Sequence, residues 1–223
     1  MKKNIQRIGK KEAQYIQEVL DSNFRASDNK NMLGRLEEAF SKKFGVRYSV
    51  DHINGTATLH SALFAAGVRA GDEVIVPPLT MSATAMAVLQ QDAVPVFADV
   101  REETFQIDPV SIEKLITSRT KVIITVALYG LAPEMDDIMR IAQKHDLIVI
   151  EDDAQCFLGK YKNKTVGSIG HLSSFSFQNS KHMTSGEGGM VCTNNSKYAD
   201  DVRKFSVLGY AGVSAKKGKI TKD

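Results

Sequence analysis

Two spacings of apolar residues share this chain. Near its start Ala13, Ile16, Val19 and Leu20 fall on one face of a helix. A polar, loop-like stretch follows over 21–31. Leu33, Leu36, Ala39, Phe40 and Phe44 then predict a second amphipathic helix that stops at Gly45. Beyond it the pattern changes to short continuous apolar runs, at 46–53, 74–76, 94–98, 122–126 and 147–150, which predict strands. Helices are expected between them. One opens at Asn54-Gly55-Thr56, with Leu59, Ala62, Leu63 and Ala66 inward and Gly67 closing it. Another spans 82–89 after the Pro77-Pro78 break. A third has Asp108 as N-cap and Pro109 in its first position. A fourth covers 134–144. Residues 159–167 read as a small hairpin or irregular excursion, 172–177 and 190–193 as two more strands, and 197–205 as a last helix.

Strands that alternate with helices and read as unbroken apolar runs predict an α/β fold, with a mostly parallel central sheet covered by helices on both faces in three layers. Such sheets bind ligands beyond the carboxyl ends of their strands. Asn54, the segment 77–81, Asp152 and Lys181 all follow predicted strand ends and can therefore converge.

Composition narrows the class. The 223 residues suffice for one large domain, and 43% hydrophobic with 25% charged residues is the balance of a globular protein. The net charge of +3 is small, and its excess lies near the ends, in Lys2-Lys3, Lys10-Lys11 and Lys216-Lys217-Gly218-Lys219. No basic stripe with interleaved aromatics points to nucleic acid. Cys156 and Cys192 have no metal or disulfide spacing and suit a reduced, cytoplasmic setting, and His52, His60, His145, His171 and His182 show no ligand spacing, so no metal is expected. No apolar run has the length of a membrane span, and the polar N-terminus lacks a signal-peptide core.

Three stretches carry candidate chemistry. Lys181 lies between the apolar Ser173-to-Phe177 run and the Gly186-Glu187-Gly188-Gly189 turn that leads into Met190-Val191-Cys192. A lysine held on such a loop between two strands can be partly desolvated, which favours the neutral amine, a nucleophile toward carbonyls; a solvated surface lysine is the alternative. Asn54-Gly55-Thr56-Ala57 opens a helix whose first N–H groups and dipole suit an anion, or else is an ordinary helix cap. Glu151-Asp152-Asp153 ends a buried strand, where a carboxylate needs a partner: a protonated ring nitrogen, or a cap or salt bridge. Together the three supply an anion cradle, a partner for a pyridinium and an amine able to form a Schiff base, a set that fits pyridoxal phosphate. A dinucleotide fingerprint, a Walker loop and a Gly-x-Ser-x-Gly elbow are absent.

These stretches have an order. Asn54-Gly55-Thr56-Ala57-Thr58-Leu59-His60, Gly71-Asp72-Glu73-Val74-Ile75-Val76-Pro77, Val94-Pro95-Val96-Phe97-Ala98-Asp99-Val100, Ile150-Glu151-Asp152-Asp153-Ala154-Gln155, Ser174-Phe175-Ser176-Phe177 with Lys181, and Gly186-Glu187-Gly188-Gly189 together resemble the sugar aminotransferases of the DegT/DnrJ/StrS type. The resemblance implies the large domain of the aspartate-aminotransferase (PLP-transferase) fold. By position, Lys181 resembles the lysine that carries the cofactor, Asp152 the ring-nitrogen partner and Gln155 the residue near the ring hydroxyl. The backbone from Gly55 to Ala57 and the Ser176 hydroxyl resemble phosphate contacts, and Met81 stands where an aromatic usually covers the ring. The implied activity moves an amino group from glutamate or glutamine to a keto-sugar, nucleotide-linked forms included, or to a keto-cyclitol, in a homodimer with shared active sites. Dehydratases of the family replace the lysine by histidine, so Lys181 favours amino transfer.

The chain departs from the family pattern at Asp153, where a small residue is usual, at Met81, and at Ala127, where a histidine is common. The expected organisation is an N-terminal helical segment over 1–30, a cofactor-binding large domain over 31–208 and a tail over 209–223, with the family's small C-terminal domain missing. The alternative to an active enzyme is a truncated, catalytically incompetent or regulatory member of the same family.

Overall fold

The computed structural model describes residues 7–22, 24 and 32–209. The expected loop over 21–31 and the tail beyond Gly209 lie largely outside these. Two helices come first: α1, Lys10–Asp21, and α2, Met32–Phe44, which buries Phe40 and Phe44 and ends at Gly45 with φ +70°. The chain then alternates: β1 Tyr48–His52, α3 Gly55–Ala65, β2 Glu73–Val76, α4 Ala83–Gln90, β3 Val94–Phe97, α5 Pro109–Leu115, β4 Thr120–Val126, α6 Met135–His145 and β5 Ile148–Asp152. A two-stranded excursion, β6 Lys160–Tyr161 and β7 Lys164–Thr165, precedes β8 Leu172–Ser176, β9 Gly189–Thr193 and α7 Ser196–Ser206. The predicted elements are all present, with ends moved by one or two residues.

Seven strands form one sheet in the order β1-β9-β8-β5-β4-β2-β3. β2 is parallel to β3 and β4, β4 to β5, and β5 to β8, while β9 runs antiparallel to both β1 and β8. β9 is thus the one reversed strand, the return leg of the loop that carries Lys181. The sheet is covered on both faces, as the unbroken apolar runs require. On one face Val74, Val76, Val122, Ile124, Ile150, Leu172 and Val191 pack against α3, α4 and α7. On the other, Ile75, Ile123 and Val149 meet α5 and α6, and Phe175, Phe177, Met190 and Cys192 meet Phe40 and Phe44 of α2. The rings of Phe40 and Phe44 stack at 4.3 Å and both meet Phe175, so an aromatic cluster pins α2 under β8.

β3 departs from the buried-run picture. It is an edge strand with Val94 and Phe97 half exposed, and its Pro95 is tolerated there because an edge has one row of backbone groups to spare. Two local devices match the sequence reading. Asp108 accepts the Val110 N–H at 3.1 Å with Pro109 in the first turn of α5, and Asn54 accepts the Ala57 N–H at 2.8 Å at the start of α3. Among the described residues no helix is long and apolar enough to cross a membrane.

Candidate active site

The parallel strands deliver their carboxyl ends to one rim. A cavity of about 440 Å³ opens there. Its walls come from the start of α3 (Asn54, Gly55, Thr56), from Met81 and Ala83 at the start of α4, from Asp152 and Ala154 after β5, and from Ser176, Gln178, Ser180 and Lys181 after β8, with Glu187 at the return. Larger surface grooves exist, one of them sharing Asn54 and Thr56 with this cavity, but none holds Asp152 and Lys181 together.

The start of α3 is built for an anion. Helix geometry leaves its first N–H groups without internal acceptors. Asn54 takes the Ala57 N–H with its side chain and the Thr58 N–H with its carbonyl at 3.2 Å. That leaves Gly55 and Thr56, whose N–H groups face the cavity end of the helix. Glycine is required at 55 by close approach: a Cβ there would lie 2.8 Å from the Cβ of Ser176. The same contact brings the Ser176 hydroxyl to the helix start. A second tight point, Gly189, lets β9 pass the α3 start, where a Cβ would stand 2.7 Å from Thr58 Cγ2 and 2.8 Å from the Asn54 carbonyl oxygen.

Asp152 forms the floor. It is 5% exposed; its Oδ2 accepts the Thr84 hydroxyl at 2.9 Å and its Oδ1 accepts the Ala154 N–H at 3.3 Å. Burial pushes its pKa up, against the pull of Thr84, Ala154 and the charge of Lys181. Lys181 is half-buried on a turn closed by its own N–H to the Gln178 carbonyl at 2.9 Å. Arg7, far away in sequence, donates from its guanidinium to the Asn179 carbonyl at 2.7 Å and to the Lys181 carbonyl.

The three consecutive acids have separate fates. Glu151, on the opposite face from Asp152, accepts the N–H groups of Gly167 at 2.9 Å, Ile169 at 2.8 Å and Gly170 at 2.6 Å, and so caps the 167–170 turn. Asp153 is 3% exposed, yet its Oδ2 finds no hydrogen-bond partner. Burial, then the charges of Glu151 and Asp152, push its acid well above the carboxylate range.

The structure therefore gathers Lys181, Asp152, Gly55, Thr56, Ser176 and Met81 around one cavity. Ala57 and Gln155 do not line it: the Ala57 N–H is committed to Asn54, and Gln155 accepts the Tyr129 N–H at 3.0 Å. Met81 is 60% exposed and stands at the mouth. No cluster of metal-ligating side chains occurs among the described residues. Sequence reasoning missed Thr84, Gln178, Ser180 and Arg7. The first has a faint signature, a threonine at i+4 from Thr80 inside an apolar helix; Arg7 has none, because its partners lie more than 170 residues away.

The arrangement suits a flat molecule with an anionic end for the α3 start, a cationic ring edge for Asp152 and a carbonyl within reach of the Lys181 amine. Comparison with known proteins agrees with this geometry. The model of the DegT/DnrJ/EryC1/StrS aminotransferase family matches residues 6–222. The GDP-perosamine synthase of Escherichia coli O157:H7 is 43% identical over 201 residues, covering 90% of this chain and 55% of that protein. An L-glutamine:2-deoxy-scyllo-inosose aminotransferase of Streptomyces fradiae is 43% identical over 175 residues, covering 78% of this chain and 41% of its own length. The structure of an aminotransferase from Psychrobacter cryohalolentis superposes with a TM-score of 0.89 at 38% identity, covering 97% of this chain and 55% of that one. The chain thus spans about half the length of the relatives it matches.

Proposed function

The chain belongs to the DegT/DnrJ/EryC1/StrS aminotransferase family, and from that premise we propose that it is the large domain of a pyridoxal-phosphate-dependent aminotransferase. The acceptor is a keto-sugar, nucleotide-linked, or a keto-cyclitol, and the donor is glutamate or glutamine. The observation that carries this reading is the convergence of Lys181, Asp152 and the free α3 N–H groups on one cavity. The residues present fit the cofactor: a buried carboxylate held in place by Thr84 and Ala154, a half-buried lysine, and a helix start kept open by Gly55.

Each residue then has a task. The Gly55 and Thr56 N–H groups and the Ser176 hydroxyl bind the phosphate. Asp152 holds a proton on the ring nitrogen through its negative charge. Lys181 would hold the cofactor's carbonyl carbon through its side-chain amine, and that amine, when free and neutral, would take up and return a proton. When bound, the cofactor supplies the electron sink for the carbon–hydrogen bond that breaks. Gln155 accepts the Tyr129 N–H outside the cavity, and Met81 covers the mouth.

The functional unit is a cytoplasmic homodimer that shares its active sites, with a small domain following this one. Supporting this, Ile53, Leu79, Met81, Tyr129 and Leu131 are all exposed large apolar residues, and they follow the carboxyl ends of β1, β2 and β4.

The test is a visible absorption spectrum of the purified chain with pyridoxal phosphate, followed by glutamate and by glutamine. A lysine-linked cofactor band that bleaches with one donor is expected. Borohydride should trap the link in wild type and not in Lys181→Ala. An unchanged trapped adduct in Lys181→Ala would sink the lysine assignment. A trapped link with no response to either donor would favour the catalytically incompetent member of the family.

A further inference from the structure

The acid on the cavity floor is served by a short chain of hydroxyls from α4. Thr84 is fully buried in the first turn of α4, with its Oγ1 2.9 Å from Asp152 Oδ2 and 3.0 Å from Thr80 Oγ1. A hydroxyl has one proton to give, and an ionised carboxylate can only accept. Thr84 must therefore donate to Asp152, and Thr80 must donate to Thr84. The direction of the chain is set by its end. Thr80 is half-buried and sits next to Met81, whose own carbonyl accepts the Thr84 N–H at 3.1 Å. The segment that carries Met81 over the cavity and the carboxylate on its floor are thus tied together at one residue.

We propose that Thr84, oriented by Thr80, is a positioning residue for Asp152: it fixes the rotation of the carboxylate and couples it to the segment bearing Met81. The part of this inference that concerns the cofactor rests on the function proposed above; the part that concerns Thr84 and Asp152 does not. Charged hydrogen bonds to a buried carboxylate are worth more than neutral ones, and linked hydroxyls reinforce one another. The groups that face Asp152 are few. Lys181 comes from the loop after β8, Asp153 and Glu151 flank it on its own strand, and α4 presents no charged side chain. The ionisable residue of α3, His60, packs against Phe205.

The experiment uses the full chain without cofactor, unfolded by urea from about pH 5 to about pH 8. Thr84→Val keeps the shape and removes the donor. At the alkaline end it should lower the folding equilibrium constant by about ten- to a hundredfold, as expected for a bond to a charged group. The loss should shrink as pH falls, since protonation of Asp152 removes the charge that strengthens the bond. Thr84→Ser should restore most of it, and Thr80→Val should show a smaller loss that disappears in the Thr84→Val background. In an Asp152→Ala background, Thr84→Val should change little. An equal loss in that background would show that the hydroxyl acts elsewhere and would overturn the proposal. If Thr84→Val unfolds the chain outright, Thr84→Ser and Thr80→Val still carry the cycle with Asp152→Ala. Titration with pyridoxal phosphate separates the two readings. Affinity that falls in Thr84→Val and in Asp152→Ala alike supports both. A normal Thr84–Asp152 cycle with affinity unmoved by Asp152→Ala supports the positioning role and removes Asp152 from the cofactor site.

Discussion

Asp152 and Asp153 are adjacent, equally buried and placed on opposite sides of the same strand end, and they have little else in common. Asp152 faces α3 and α4, where a hydroxyl, a backbone N–H and the charge of Lys181 answer it. Asp153 faces the aromatic side: a Cβ on Gly167 would lie 3.0 Å from its Oδ2 and 2.4 Å from the ring of Phe175, and no donor reaches that oxygen. Burial pushes both acids up, but only one has partners for its charged form. The difference teaches that burial does not mark a functional acid; the partners do. On one face the sheet holds a carboxylate ready for a cation, and on the other it buries an acid with an oxygen that nothing answers.

The largest expected effect breaks this comparison if it fails. Asp152→Asn should weaken cofactor binding only in part, because the phosphate end is untouched, and slow the half-reaction with the amino donor by orders of magnitude, since electrostatic stabilisation of this kind is commonly worth ~3–4 kcal/mol. Asp153→Asn should stay close to wild type. Single-turnover absorbance decay measures both, and equal rates would mean that the two acids had been misassigned.

The phosphate end comes next. Gly55→Ala places a methyl against Ser176, and overpacking of that kind costs about 1–3 kcal/mol. Cofactor affinity should fall with circular dichroism unchanged. Affinity equal to wild type would show that Ser176 and the α3 start do not act together.

The aromatic side predicts the opposite sign. Burial raises the folded-state pKa of Asp153 above its unfolded value, so the folded chain holds more protons. Its stability contribution is intact at low pH and is lost as pH rises through the folded pKa. Asp153→Ala should therefore be more stable than wild type at neutral and alkaline pH, by an amount on the order of the 1–3 kcal/mol that an unsatisfied buried polar group costs. The gain should vanish in acid. Thermal melts across the pH range would show it, and a destabilised Asp153→Ala at alkaline pH would mean that Asp153 has a partner after all.

Met81 gives the smallest effect. An aromatic at the mouth would stack on a flat cofactor, worth ~0.5–1.5 kcal/mol beyond burial. Met81→Phe should tighten cofactor binding by a few-fold up to about tenfold, and Met81→Ala should loosen it. Equal affinities for the Phe, Met and Ala forms, with the fold intact, would take Met81 out of the site.

The element order, the mostly parallel sheet and the strand-end positions of Asn54, Asp152 and Lys181 were legible in the sequence, because apolar periodicity and caps such as Asn54 and Asp108 act within a few residues of the chain. Gly55 and Thr56 could be read as a helix start for the same reason. What the sequence left open was which of three consecutive acids faces the cavity. That depends on strand pleat and on the helix packed above each face: Thr84 of α4 reaches Asp152, while the 167–170 turn takes Glu151. The tie from Arg7 to the lysine turn, the exclusion of Gln155 from the cavity and the unanswered oxygen of Asp153 were equally invisible. Each is set by groups brought together from distant parts of the chain. Local pattern dictates how a segment folds; only the packed sheet decides what stands opposite a side chain, and the energy of a buried charge is a property of what stands opposite it.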